Sequence, residues 1–431
     1  MLHKNLGINS QNRLTFCGYD TVELAKEYGT PVYVMDEDLI RENCRTYKTA
    51  LEKNFGKGSM PLYASKAFSC KKIYEIAKEE GIGCDVVSGG ELYTVYKSGF
   101  PMENVFFHGN NKTDNDITLA LDCKIGYFVV DNNEELLEIN RQAAERNIKQ
   151  KILLRITPGI DPHTHKAIVT GSVDSKFGSA IETGQAMEIV KTALSMSNLI
   201  LEGLHCHIGS QIFECEPFTD AADIMIKFIK QIKDETGAEM NVLNLGGGMG
   251  VRYIEEDPVI DYGKNIDKIA EKIKTFAENN GIKMPIILME PGRSLVAAAG
   301  ITLYTVGSVK EITGFKNYVS IDGGMPDNPR YALYQSLYSV VVANRANDNA
   351  DYTCTIAGRC CESGDLIAEN IKIAKPCRND TLAVLCTGAY NYSMSSHYNR
   401  LPKPPVVMLS KDKKYLAVAR ETYDDLMRND L

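Results

Sequence analysis

The sequence predicts an α/β protein in which a (β/α)8 barrel is followed by an antiparallel β domain that also takes in the N-terminal segment. Short runs of β-branched and aromatic residues alternate with helical patterns over most of the first 300 residues. After about residue 298, strand-like runs follow one another with turn signals and little helical periodicity. Polar residues and glycines concentrate where the earlier runs end, as expected at the catalytic rim of a barrel.

Eight of the earlier runs are the predicted barrel strands. Between them, apolar residues recur at helical spacing, as in 91–96 and 222–226. Eight such units favour a closed barrel, although the pattern alone also permits a doubly wound open sheet. The predicted strands are 61–65, 83–87, 105–108, 126–130, 151–156, 201–207, 242–245 and 286–289.

The C-terminal part carries five further predicted strands. The segment 31–36 has the same strand-like composition and precedes a helical pattern, so it could pair with the C-terminal sheet. The predicted domains are therefore a barrel at 37–298 and a β-sandwich or barrel-like domain formed by 1–36 and 299–431. The five C-terminal strands are 301–307, 318–322, 338–343, 352–357 and 382–386.

Composition narrows the range of functions. The 431 residues carry a formal net charge of -8, which provides no basic surface for nucleic acid or anionic lipid. The first residues lack the apolar stretch of a signal peptide, and no apolar run reaches membrane-spanning length. The 12 cysteines include no C-x-x-C pair, which favours reduced thiols over disulfides or zinc. We expect a cytoplasmic protein with no nucleic-acid or membrane partner.

Lys66 is the most informative of the residues at the predicted strand ends. A lysine at the carboxyl end of a buried strand and half-withdrawn from water would be a usable amine nucleophile for Schiff-base chemistry. A single lysine is more often solvated, so the prediction depends on the neighbouring strand ends. Those ends carry Asp85, Ser88, His108, Arg155, His205, His207, Gly246, Gly247, Gly248, Glu290 and Arg293.

The glycines of 246–248 form either a simple turn or a loop whose backbone N–H groups can wrap a phosphate. Their spacing does not fit the dinucleotide fingerprint, which disfavours a nicotinamide cofactor. The pairs His205-x-His207 and His163-x-His165 suggest metal ligands, but no third ligand follows at a known spacing. We predict no metal and interpret His207 as a ring stacked on a cofactor.

Glu290 indicates which cofactor this is. A carboxylate three residues from Arg293 would ordinarily form an ion pair. Beside an aromatic nitrogen heterocycle, it would instead keep the ring nitrogen protonated, so that the ring accepts electrons from a breaking bond. A nucleophilic lysine, a phosphate-binding loop and an acid for a ring nitrogen together predict pyridoxal 5'-phosphate.

Four segments then resemble a known family, the pyridoxal-phosphate decarboxylases built on an alanine-racemase-like barrel. They are 63–67 (Tyr-Ala-Ser-Lys-Ala), 108–112 (His-Gly-Asn-Asn-Lys), 205–211 (His-Cys-His-Ile-Gly-Ser-Gln) and 361–365 (Cys-Glu-Ser-Gly-Asp). The resemblance implies decarboxylation of meso-2,6-diaminopimelate to L-lysine and CO2, the last step of lysine biosynthesis. It also implies a homodimer with shared active sites.

The resemblance assigns roles to individual residues. Lys66 would form the Schiff base, His207 would stack on the ring, Glu290 would contact the ring nitrogen, and Cys361 would return a proton to the substrate carbon. The implied cofactor site comprises Lys66, Asp85, His207, Ser210, Gly248, Glu290, Gly292, Arg293 and Tyr390. The implied substrate site comprises Arg293, Arg330, Tyr334, Glu362 and Tyr390.

Three other functions stay open at this point. A decarboxylase of D-lysine, D-ornithine or another diamino acid would keep the same scaffold, although Arg330 and Tyr334 favour a substrate with a second carboxylate. A racemase needs two opposed acid/base groups and a weakly activated ring, which Glu290 argues against. A non-catalytic carrier of pyridoxal phosphate would need neither a second domain nor Cys361 and Glu362.

Overall fold

The computed structural model describes residues 2–160 and 175–431. The chain divides into two compact units. The barrel unit comprises Asn43–Gly250 and Ile260–Gly292. The β unit comprises Met1–Glu42, Val251–Val259 and Arg293–Leu431. The division predicted from sequence, at 36/37 and 298/299, stays a prediction about domain boundaries.

The barrel unit contains a closed ring of eight parallel strands. Each strand pairs with its neighbours, and the eighth returns to the first through the register Leu288↔Met60. All eight predicted strands are confirmed, and closure excludes the doubly wound open sheet. The strands are Met60–Ala64, Gly83–Val86, Val105–Phe107, Tyr127–Val130, Gln150–Thr157, Leu199–His205, Val242–Asn244 and Ile286–Met289.

Helices connect the barrel strands, and short polar residues fix where several of them begin. The side chains of Ser88, Asn132 and Asp261 each accept a hydrogen bond from a backbone N–H of the first helical turn. Left-handed glycines end two of the helices, at Gly237 and Gly281. The helices are Glu37–Phe55, Lys71–Glu79, Gly89–Lys97, Asp114–Asp122, Asn133–Glu145, Gln185–Ser195, Glu216–Thr236 and Tyr262–Asn280, with 3₁₀ turns at Ser65–Ala67 and Met102–Asn104.

Apolar side chains fill the interior of the ring. One buried cluster draws a residue from each of six strands and is joined by the partly buried Met60 and Tyr127. The barrel is therefore a packed core, and its polar strand ends form a site above that core. The six buried residues are Leu62, Phe106, Val129, Leu153, Val242 and Leu288.

The β unit contains a nine-stranded sheet that includes the N-terminal segment, as predicted. Val32–Asp36 pairs antiparallel with Gly300–Ile312 and parallel with Val406–Leu409. A second parallel pair joins Lys316–Ile321 to Tyr352–Ala357. Both parallel pairs join strands that are not linked by a hairpin, so the connecting chain does not impose an antiparallel direction.

Several strands of the β unit were not predicted. Three of them belong to the nine-stranded sheet, namely Leu366–Ile373, Val406–Leu409 and Lys414–Val418. The same sheet contains Val340–Val342 and Thr381–Val384, which correspond to the predicted strands 338–343 and 382–386. A separate three-stranded sheet forms from Leu6–Ile8, Leu14–Phe16 and Tyr19–Asp20. The helices are Thr21–Tyr28, Arg293–Val296, Arg330–Tyr334 and Tyr423–Met427. Among the described residues, none of the helices combines the length and apolar composition needed to cross a bilayer.

A buried ion pair anchors the loop that follows the third barrel strand. Lys112 Nζ donates to Glu135 Oε1 at 2.7 Å, to the Val129 carbonyl at 2.8 Å and to the Gly109 carbonyl at 3.0 Å. The three ammonium hydrogens are therefore all used, and the side chains of Lys112 and Glu135 are only 1% and 3% exposed. We infer that Lys112 stabilises the barrel.

We expect Lys112→Met to cost about 3–5 kcal/mol of unfolding free energy, because it leaves the buried Glu135 carboxylate without its cation. The double variant Lys112→Met/Glu135→Leu should recover most of that loss, since an apolar pair needs no compensating charge. Urea unfolding followed by far-ultraviolet circular dichroism measures both. A double variant less stable than the single one would contradict this role for the ion pair.

Candidate active site at the carboxyl ends of the barrel strands

The predicted nucleophile lies immediately after the first barrel strand. Lys66 is the middle residue of the 3₁₀ turn Ser65–Ala67, and the Ser65 hydroxyl contacts the Asp85 carbonyl and, at 3.1 Å, Glu91 Oε2. Lys66 is exposed, and its half-withdrawal from water stays a prediction. Its place on a short turn beyond the strand keeps it from packing between neighbouring strands.

Asp85 lies at the same rim, on the second strand. It is buried, and its Oδ1 has no hydrogen-bond partner among the described residues. Burial raises the pKa of this carboxyl, the charge of Glu290 raises it further, and the charge of Lys66 lowers it. An unpartnered polar atom in this position can accept a hydrogen bond from a ligand.

Glu290, which follows the eighth strand, is held by side chains from three other strand ends. Asn244 Nδ2 donates to its Oε1 at 2.7 Å, and His108 Nε2 lies 3.0 Å from the same oxygen. His205 Nε2 lies 3.2 Å from Oε1 and 3.3 Å from Oε2. Four strands of the closed barrel thus converge on one carboxylate.

The protonation of this cluster follows from its burial. Burial lowers the pKa of His205 to about 4 and also lowers the pKa of His108. Burial alone would raise the pKa of Glu290, but the contacts from His108 and His205 hold it well below its usual range. At neutral pH Glu290 is therefore an ionised carboxylate that has hydrogen bonds to Asn244 and His205 and a close contact with His108.

The glycine loop after the seventh strand lies beside the cluster. Gly246 N–H donates to Asn244 Oδ1 at 2.9 Å, and Gly247 N–H donates to His207 Nδ1 at 3.2 Å. The loop therefore does not offer three N–H groups to a phosphate. Among the described residues, Gly248 alone of the three makes no such bond, which leaves its N–H for a ligand.

Close packing explains why this loop is made of glycine. A Cβ on Gly247 would lie 2.2 Å from the Glu290 carbonyl oxygen. Gly248 has φ +121°, and its Cβ would lie 2.3 Å from the Gly209 carbonyl oxygen. The 209–212 segment, which contains Ser210, is joined to this loop by the hydrogen bond from Ile212 N–H to the Gly248 carbonyl at 3.0 Å.

The bond from Gly247 also defines the state of His207. Because Nδ1 accepts, the ring proton is on Nε2. Burial lowers the pKa of His207 well below its usual value, and the charges of Lys66 and Arg155 lower it further. His207 is therefore a neutral ring with its proton on a known nitrogen.

In the β unit, two buried arginines share one aromatic ring. The Arg293 guanidinium lies 4.8 Å from the Tyr390 ring centre and donates to Tyr253 Oη at 2.7 Å. The Arg330 guanidinium lies 5.3 Å from the rings of both Tyr334 and Tyr390. These distances are typical of cations held over aromatic faces.

Arg330 lacks a carboxylate partner within the part of the chain that the structure describes. It is 8% exposed, its closest side-chain bond is to Ser336 Oγ at 3.4 Å, and its Nε has no acceptor. A buried guanidinium without an anion is costly. This residue is therefore suited to binding an anionic group of a ligand.

The predicted proton donor lies elsewhere in the β unit. Cys361 and Glu362 are both exposed, on a loop between Tyr352–Ala357 and Leu366–Ile373. The buried Asp365 carboxylate fixes this loop by accepting from the Cys360 N–H at 2.7 Å and the Met325 N–H at 2.6 Å. Their exposure leaves both side chains available to a ligand or to a second subunit.

Sequence reasoning missed several of these residues. It placed His108 and His205 at strand ends without seeing that both contact Glu290, and it overlooked Asn244 entirely. The available signal for Asn244 was a lone amide at the end of the apolar run 242–245.

His108, His205 and Glu290 also offer three potential metal-ligand atoms within 4.8 Å, so the predicted absence of metal stays a prediction. The pair His163 and His165 lies outside the described residues.

Comparison with known proteins identifies the class. The family described as "Pyridoxal-dependent decarboxylase, pyridoxal binding domain" matches residues 37–297. Fold and site together define a pyridoxal-dependent decarboxylase, a carboxy-lyase whose cofactor is pyridoxal 5'-phosphate. The match spans the closed barrel and every barrel residue discussed above.

Curated and solved relatives narrow the family. The diaminopimelate decarboxylase of Bacillus subtilis (strain 168) is 46% identical over 430 residues, which cover 100% of this chain and 98% of the relative. The chain belongs to the diaminopimelate decarboxylase family. The crystal structure of the M. jannaschii enzyme in complex with L-lysine has a TM-score of 0.93 at 36% identity, covering 100% and 99% of the two chains. The Helicobacter pylori enzyme, also complexed with L-lysine, has a TM-score of 0.87 at 31% identity, covering 95% and 98%.

The residues at the barrel rim fit this cofactor. Glu290 is an ionised acceptor for a ring N–H, Asp85 Oδ1 lacks a partner, and the glycine loop leaves no room for a side chain beside Gly209. An acceptor for the ring nitrogen and an open N–H at Gly248 are the features that a phosphorylated pyridine requires.

The low pKa of His205 predicts a pH dependence of stability. The unfolded histidine binds a proton near pH 6.5, whereas the folded one does so only near pH 4, so acid favours unfolding between these values. We expect this residue to account for about 3 kcal/mol of the stability lost from pH 6.5 to 4. His205→Gln should remove that part of the slope in urea unfolding.

The control is Gln150→Leu, a change at a buried, non-titrating barrel residue. It should lower stability at every pH and leave the slope between pH 6.5 and 4 unchanged. An unaltered slope in His205→Gln would show that His205 does not titrate as its burial requires.

Proposed function

We propose that this enzyme removes the carboxylate at the D centre of meso-2,6-diaminopimelate and releases L-lysine and CO2. The observation that carries the proposal is the buried Arg330 guanidinium, which has no carboxylate partner in the described chain. A substrate with a second carboxylate, far from the bond that breaks, supplies that partner. The L-lysine bound to the M. jannaschii and H. pylori relatives is the product this reaction would release.

The barrel rim is proposed to hold the cofactor. Lys66 would provide the amine that binds the cofactor aldehyde, while Gly248, Ser210, Gly292 and Tyr390 would hold its phosphate. Asp85 and Arg293 complete the set of cofactor residues predicted from sequence. When bound, pyridoxal phosphate supplies an electron sink for the bond that breaks next to the substrate carboxylate.

Glu290 and His207 act on the ring in this proposal. Glu290 would accept the ring N–H and keep that proton in place, since its pKa lies well below the usual range. His207 offers a flat, uncharged surface, because its pKa is lowered and its Nδ1 is occupied by Gly247. A ring nitrogen held protonated by Glu290 would let the ring withdraw electrons from the bond that breaks, as the proposed decarboxylation requires.

The β unit is proposed to recognise the far end of the substrate. Arg330 and Arg293 bind the distal carboxylate, with Tyr334 and Tyr390 supporting the guanidinium groups through their rings. Glu362 binds the distal ammonium. The carboxylate and the ammonium at the far end of the substrate would therefore each bind a protein group of opposite charge.

Proton return completes the reaction. Cys361 Sγ–H is proposed to give its proton to the substrate carbon after CO2 departs, and its exposure fits a residue that serves a neighbouring copy of the chain. We therefore propose a homodimer with shared active sites. We also propose that the enzyme works in the cytoplasm, where its 12 free cysteines would stay reduced.

Incubation with meso-2,6-diaminopimelate and pyridoxal phosphate should yield L-lysine and CO2 in equal amounts. Arg330→Ala should lower kcat/KM by a factor that corresponds to about 2–5 kcal/mol of lost transition-state binding. This is the usual cost when one partner of a buried charge pair is removed. Arg345→Ala is the matched control, because it removes another β-unit arginine, whose partner is Asp380. It should leave kcat/KM near that of the parent.

D-Lysine separates the proposal from its nearest alternative, because it lacks the second carboxylate. The parent should use it poorly, and Arg330→Ala should change that low activity little. If the enzyme turned over D-lysine or D-ornithine faster than meso-2,6-diaminopimelate, the proposed substrate would be wrong and that diamino acid would take its place.

The proposed sharing of sites predicts complementation between two inactive variants. Lys66→Ala and Cys361→Ala chains each lack one essential group, but a mixed dimer contains one site with both. Random pairing makes half of the dimers mixed, with one intact site of two, so about a quarter of the parent activity is expected. No recovery after mass spectrometry has shown subunit exchange would place both residues in one chain's site.

A further inference from the structure

Asn244 connects two parts of the barrel rim that have separate roles. It is the last residue of the seventh strand and is fully buried. Its Nδ2 donates to Glu290 Oε1 at 2.7 Å, and its Oδ1 accepts from the Gly246 N–H at 2.9 Å. Both ends of one short amide are thus engaged, one with the carboxylate and the other with the glycine loop.

The partners fix the orientation of this amide. Turning it over would place its oxygen against the Glu290 carboxylate and its N–H groups against the Gly246 N–H, which replaces two hydrogen bonds with two repulsions. The backbone restrains the same elements, because Glu290 N–H donates to the Gly246 carbonyl at 2.8 Å. Residues 244, 246 and 290 therefore form one rigid group.

No other side chain of this size provides the same two bonds. Aspartate would accept from Gly246 but would place a second carboxylate against Glu290, and carboxylates in contact retain a shared proton. Leucine would fill the volume but leave the Gly246 N–H and one oxygen of Glu290 without this partner. The amide satisfies the loop and leaves the Glu290 charge in place.

Asn244 also influences which oxygen of Glu290 is available. The closest contacts from Asn244 and His108, at 2.7 Å and 3.0 Å, are made to Oε1. Oε2 has a longer contact, 3.3 Å from His205 Nε2. Each oxygen thus has one hydrogen bond, and Oε2 has the longer one, so Oε2 is the oxygen better able to accept from a further donor.

We propose that Asn244 is a positioning residue for the cofactor, which ties the acceptor for the ring nitrogen to the loop that holds the phosphate. This inference rests on the roles proposed for Glu290 and Gly248. Asn244 does not touch the reacting atoms; it sets the spacing between Glu290 Oε2 and the glycine loop and keeps Glu290 ionised. Its loss should therefore change both cofactor affinity and the protonation of the bound ring.

The test compares Asn244→Leu and Asn244→Asp with Gln150→Leu, a buried amide lost from the start of the fifth strand. One measurement is the affinity of the apoenzyme for pyridoxal phosphate at neutral pH. The other is the 15N resonance of pyridoxal phosphate labelled at the ring nitrogen, which reports ring protonation directly. Neither measurement uses a substrate, so failure of the proposed decarboxylation is seen separately.

Asn244→Leu should weaken cofactor binding about tenfold and move the ring-nitrogen resonance toward its unprotonated position. Asn244→Asp keeps the acceptor for Gly246, so it should bind the cofactor within about threefold of the parent yet show the same change in resonance. Gln150→Leu should lose stability without either effect. Parent-like affinity and resonance in the Asn244 variants would overturn the proposal. If Asn244→Leu does not fold, a ring-nitrogen resonance in Asn244→Asp that is unchanged from the parent is by itself sufficient to overturn the proposal.

Discussion

A carboxylate buried without a permanent cation determines how the barrel rim is organised. Removing an ionised group from water costs several kcal/mol. Glu290 offsets that cost with hydrogen bonds from Asn244 and His205 and with a close contact from His108. These side chains come from the ends of three different strands. The arrangement exists only because the ring is closed, so barrel closure and the ionised state of Glu290 depend on the same strand pairings.

The β unit contains the opposite kind of group. Arg293 and Arg330 are buried cations whose neighbours are tyrosine rings, and Arg330 has no carboxylate partner among the described residues. Aromatic faces stabilise a guanidinium without neutralising it, which preserves its attraction for an anion. Each unit therefore contains a buried charged group that can bind a ligand of opposite charge, namely the Glu290 carboxylate at the barrel rim and the Arg330 guanidinium in the β unit.

The sequence predicted the barrel well because each parallel strand is a short apolar run followed by a helical pattern. It predicted Lys66 and Glu290 as site residues because the chemistry expected of them depends on residue type and strand-end position. It missed Asn244 because a lone amide after an apolar run also looks like a turn. It missed Leu366–Ile373 because charged residues such as Glu369 and Lys372 interrupt the apolar pattern. The parallel pairs of the β unit depend on contacts between distant segments, which local patterns do not encode.

The hydrogen bond from Gly247 to His207 has a stereochemical consequence. A histidine that accepts at Nδ1, carries its proton on Nε2 and has a strongly lowered pKa can neither remove a proton nor supply one readily near neutral pH. Whatever lies against that ring meets a surface inert toward proton exchange. A carbanion formed beside it would be quenched only from another direction. The new C–H bond should therefore form on one side of the carbon that loses CO2, although this carbon becomes a CH2 group and is not a stereocentre of the product.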